Sequence, residues 1–64
     1  MRIRIDGEVK TIDVQRSGFY VMGPDLNGRI CRTAFHSFRN VTAVLEHIKA
    51  GGAVRSTGHR YTKA

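Results

Sequence analysis

Arginine is the residue type in this chain best suited to chemistry with a partner. Arg2 and Arg4 alternate with Ile3 and Ile5, Arg32 lies in a later apolar stretch, and Arg55, Arg60 and Lys63 recur toward the far end. The guanidinium is a planar fork of donors that matches phosphate and carboxylate geometry and is weakly hydrated. The chain carries 11 Lys+Arg against 5 Asp+Glu, a formal +6 on 64 residues, and eight of the cations are arginine. That balance points to a polyanionic partner, DNA or RNA first, an acidic protein second. A sheet bearing Arg2, Arg4 and Arg32 on one face could contact phosphates or base edges. Arg55, Arg60 and Lys63, among Ser56, Thr57, Thr62 and Tyr61, suit phosphate contacts, with Tyr61 free to stack on a base or to pack on the sheet. The same arginines on a solvated sheet face would only discourage edge pairing.

Other reactive residues form no familiar pattern. Cys31, His36, His47 and His59 are separated by four, ten and eleven residues. Structural zinc sites favour paired ligands at short spacing, so no metal or other cofactor is expected. Cys31 and His36 have no local signature of a nucleophile and base, and the five carboxylates show no paired arrangement. A non-enzymatic protein is expected. The lone cysteine excludes an internal disulfide, and a small secreted domain would usually carry several. Met1 runs directly into an alternating segment, with no leader visible and no apolar run of membrane-spanning length. The expected compartment is cytoplasmic, with a homodimer open.

Positioning these residues requires a fold, and the composition supports one. Hydrophobic residues make up 41% and aromatics 8%, enough for a small core rather than a basic disordered tail. The expectation is a single α+β domain, 1–64, with a small antiparallel β-sheet of three to five strands and one amphipathic helix packed on one face. Residues 1–35 read as a β-meander. Asp6-Gly7 is a hairpin turn between strands at 2–5 and 8–14. A two-residue turn pairs Ile5 with Glu8, a three-residue turn pairs it with Val9, and one slip exchanges the faces. The broken alternation of Val9, Ile12 and Val14 suggests a bulge or twist near Thr11. Further strands are expected at 19–22 and 29–35, around the loop 23–28.

The helix segment is 40–51. Asn40 suits the N-cap, Val41, Val44, Leu45 and Ile48 form one apolar stripe, and Gly51-Gly52 ends it. The stripe should meet Ile3, Ile5, Phe19, Val21 and Ile30 or Phe35, with Phe35 and Phe38 bridging sheet and helix. Cys31 reads as a small buried hydrophobe. Residues 53–64 read as a basic C-terminal strand or tail: 53–55 and 59–62 pair across Ser56-Thr57-Gly58, or one of them joins the sheet, or the segment stays a mobile tail. Charge concentrates there: residues 33–64 carry five basic residues and one acidic.

Gly18-Phe19-Tyr20-Val21 followed by Pro24-Asp25-Leu26-Asn27-Gly28 and a helix is similar to the small HicB-type antitoxins over residues 18–50. The helix start Asn40-Val41-Thr42-Ala43-Val44 departs from that family's Thr-x-x-Glu-Ala, and the Asp6-Gly7 hairpin is an addition. The resemblance implies a protein-binding, toxin-neutralising module as the alternative function. The strand order also resembles small domains that read the DNA major groove with a three-stranded sheet, a likeness of fold alone.

Overall fold

A computed structural model describes residues 1–64. The elements run β1 (Arg2–Ile5), β2 (Glu8–Gln15), β3 (Gly18–Pro24), β4 (Ile30–Ser37), α1 (Val41–Lys49), β5 (Val54–Ser56) and β6 (His59–Lys63). All six strands form one antiparallel sheet in the order β4-β3-β2-β1-β6-β5. The α+β class agrees with expectation, but the sheet has six strands, not three to five. The additional strands come from residues 53–64, which both join the sheet rather than remaining a tail and form the hairpin across Ser56-Thr57-Gly58. Its β6 pairs with β1, Ile5 facing Tyr61 and Ile3 facing Lys63.

Local chemistry explains the turns. Asp6 and Gly7 both take positive φ, 52° and 86°. That selects the two-residue turn whose twist matches its strands, so Ile5 faces Glu8. Thr57 and Gly58 repeat the geometry at 50° and 81°. A β-branched residue pays a steric penalty of about 1–2 kcal/mol there. No register shift occurs at Thr11. The irregularity lies instead where β3 meets β4, between Val21 and Met22. There Thr33 is the extra residue, and its hydroxyl donates to the Val21 carbonyl at 3.0 Å.

The helix follows its sequence signals. The Asn40 side chain accepts from the Ala43 amide at 3.1 Å. Val41, Leu45 and Ile48 are buried, and Gly51, at φ 95°, accepts the left-handed exit. The helix lies against β6 and β5. The core joins its three buried residues to Ile3, Ile5, Ile12, Phe19, Val21 and Tyr61, with Phe38, Val44 and Val54 at its margin. Ile30 and Phe35 do not belong to it. Ile30 is 69% exposed at the start of an edge strand, and Phe35 points to the other sheet face. Cys31 is only half-buried.

The sheet is strongly curled. β3, β2 and β1 separate β4 from β6, four steps that span about 19 Å in a flat sheet. Yet the His36 ring on β4 and the Tyr61 ring on β6 have centroids 5.4 Å apart. Side-chain reach covers only part of that gap, so the sheet wraps its inner face around the core and leaves the outer face uncovered.

Candidate nucleic-acid interface

Directly opposed residues in an antiparallel pair share a face, and so do residues two apart along a strand. Arg32, Met22, Thr11 and Arg2 therefore form one row across β4, β3, β2 and β1 on the outer face. Val9, Arg4 and Thr62 form another. Arg60 and Arg55 oppose each other on β6 and β5, on that same face. Thus Arg2, Arg4, Arg32, Arg55 and Arg60 share one face, and all are exposed. Lys63 does not join them. It faces Ile3 and belongs to the inner face.

Of the two carboxylates within strands, Glu8 faces Ile5 on the inner side and bonds Lys10 at 3.2 Å. Asp13 is the acid of the outer face. Its Oδ2 accepts from Arg32 Nε at 3.2 Å and Nη2 at 2.9 Å. The Arg32 guanidinium also lies 4.4 Å from the centre of the Tyr20 ring. Arg32 is thus held flat, one charge already matched. Arg4 Nη1 donates to the Gly7 carbonyl at 3.2 Å. Arg2, Arg4, Arg55 and Arg60 have no carboxylate within ion-pair distance. Arg55 faces Arg60 as a cross-strand pair of like charge, which is unfavourable until an anion lies between or over them.

Tyr61 cannot stack on a base. It is wholly buried on the inner face, edge-on to Phe19 and Phe38 at 5.8 and 5.2 Å. Its hydroxyl meets His36 Nδ1 at 2.6 Å. His36 in turn packs edge-to-face on His59 at 5.1 Å, and His59 Nδ1 meets Asp6 Oδ2 at 2.7 Å. The second Asp6 oxygen accepts the Arg60 amide at 3.0 Å. This chain of contacts ties both hairpin tips to β4. Sequence spacing could not reveal it, because its members come from three distant segments that only the curled sheet brings together.

The His36 and His59 rings meet edge-to-face, and His59 and Asp6 both stay partly exposed. Cys31 and His36 stand near opposite ends of β4, facing Gly23 and Phe19, about 15 Å apart at strand spacing. They cannot act as nucleophile and base on one atom. His47 lies over Gly52, away from the others. No three His, Cys, Asp or Glu side chains are placed to hold a metal ion. An open depression of about 520 Å³ beside the β5–β6 turn is lined by Asp6 and residues 55–60, with no apolar side chain. Small-molecule sites are usually mostly apolar.

The cluster sets a pH dependence. Burial, and then the neighbouring His59, lower the His36 pKa from 6.5. Burial raises the Tyr61 pKa from 10.0. Below pH 6.5 the unfolded chain takes up a proton that folded His36 resists, so stability falls with pH until the lowered folded pKa is passed. Above pH 10.0 the unfolded chain releases a proton that folded Tyr61 keeps, so stability falls again. Thermal melts across this range should show a plateau between those values, and His36→Gln should flatten the acid limb. An acid limb unchanged in that variant would assign it to another group.

β3, a loop in which Asp25 Oδ1 accepts from the Asn27 and Arg29 amides, β4 and α1 follow one another along the chain. Comparison with family models, curated proteins and solved structures finds no match for this chain.

Proposed function

We propose that this is a small non-enzymatic nucleic-acid-binding protein that uses the arginine-bearing outer face of its sheet. The observation that carries the reading is the convergence of Arg2, Arg4, Arg32, Arg55 and Arg60 on one uncovered face with a single strand carboxylate among them. Lys63, on the inner face, is not part of it. Phosphate contacts supply most of such affinity and make it salt-dependent through counterion release.

The test is fluorescence anisotropy of a labelled oligonucleotide from 50 to 200 mM salt. With Arg32 already matched by Asp13, the four unpaired arginines predict a log–log slope of about −2.8 to −3.6, or roughly 50–150-fold weakening over that range. The triple variant Arg2→Gln/Arg4→Gln/Arg60→Gln retains one unpaired contact and should weaken only about 3-fold over the same range. No binding at the lowest salt, or an unchanged slope in the variant, would reject the reading.

A protein-interaction module is the second reading, favoured by β4. That edge strand is eight residues long, with Ile30 69% and Phe35 41% exposed. An edge of this kind offers unpaired backbone groups to another strand. Such an interface would lack the steep salt dependence. No helix is long and apolar enough to cross a membrane.

A further inference from the structure

The outer face carries aromatic and apolar surface that phosphate contacts do not require. Phe35 faces Tyr20, and Tyr20 faces Asp13, in a row beside that of Arg32, Met22, Thr11 and Arg2. The Phe35 and Tyr20 rings meet at 60° with centroids 4.7 Å apart. Phe35 remains 41% exposed, and Val9, on the same face, 44%. Neither is in the core cluster. An exposed ring beside a fixed guanidinium and a line of unpaired arginines combines the two elements of single-strand recognition, a stacking platform and a cationic track.

We propose that this face binds single-stranded nucleic acid, one unpaired base stacking on Phe35 while the sugar-phosphate backbone crosses Arg32, Arg2 and Arg4 toward Arg60 and Arg55. The inference rests on the nucleic-acid reading above and narrows its substrate. Flexibility and free bases separate a single strand from a duplex. A flexible single strand can follow the surface. Duplex bases, stacked on each other, also present no ring face to Phe35.

The experiment compares labelled oligo-dT, oligo-U and a duplex at fixed low salt, using the full chain. Phe35→Leu keeps apolar bulk and removes the ring. It should weaken single-strand binding about 5–100-fold, leave the salt slope unchanged and barely alter duplex binding. Phe35→Trp keeps a ring and introduces the chain's sole indole, whose emission should be quenched by the single strand and not by the duplex. That readout stands even if Phe35→Leu does not fold. Duplex binding as tight as single-strand binding, or an indole blind to oligo-dT and oligo-U alike, would overturn the single-strand proposal while leaving the nucleic-acid reading intact. No binding of any of the three at low salt would overturn both. The relative affinities of oligo-dT and oligo-U identify DNA or RNA as the preferred strand.

Discussion

Tyr61→Ala is expected to lower the urea midpoint more than any other single truncation in the core. Tyr61 is fully buried, and its ring joins Phe19 from β3 to Phe38 ahead of the helix. Truncating a buried aromatic costs about 3–5 kcal/mol. At typical values per residue, a domain of this length has about 3–10 kcal/mol in total. The loss therefore takes much or all of the margin. Tyr61→Phe separates packing from polarity. It keeps the ring and removes only the bond to His36, which should cost about 1–2 kcal/mol. Urea titrations followed by circular dichroism distinguish the two. A Tyr61→Ala protein with a near-native midpoint would mean that β6 does not close the core as described.

Gly18→Ala should be about as damaging, by collision. A Cβ on Gly18 would stand 2.1 Å from the His36 carbonyl oxygen and 2.8 Å from the Ser37 Cα. Both are backbone atoms, so no rotamer change relieves the contact. Gly18 also holds φ at +155°, which side-chain-bearing residues rarely adopt. Overpacking and backbone strain together amount to on the order of 2–6 kcal/mol. The displaced strand is β4, so His36 should also leave Tyr61. Gly7→Ala is the control, since nothing lies within 4 Å of its added Cβ and only its positive φ is penalised. Amide exchange across β3 and β4 reads the difference. Equal protection in the two variants would mean that the close approach at Gly18 is not maintained.

Short-range rules make several elements legible in the sequence itself. Asp6-Gly7 announces its hairpin, Asn40 its cap and Gly51 its exit, because each depends on a few neighbouring atoms. The stripe Val41, Leu45 and Ile48 announces a buried helix face by its spacing. The arginines at 2, 4, 32, 55 and 60 are recognisable as candidates, but their shared face depends on registers that one slip would exchange. Phe35 lies opposite to the side its neighbours suggest, because the irregularity beside Met22 shifts the pairing of β4. Lys63 departs from the other cations for a related reason: its face is set by its pairing with Ile3, sixty residues earlier. In sequence, Tyr61 looks equally suited to a ligand or to packing. Its pairing with Ile5 sets its face, and the curl of the sheet brings Phe19 and His36 against its ring.

The pairing of β1 with β6 has a temporal consequence. Ile3, Arg4 and Ile5 acquire their second neighbour only from residues 61–63. During synthesis the β1–β4 meander can assemble from near neighbours, since its pairings span short sequence separations. The inner flank of Ile3 and Ile5, and the seat of Phe19, must nevertheless wait until Tyr61 has left the ribosome. Loop closure over nearly the whole chain is the slow, entropically costly step in such a topology. Until then the nascent meander exposes the outer edge of β1, where Arg2 and Arg4 disfavour pairing with another strand.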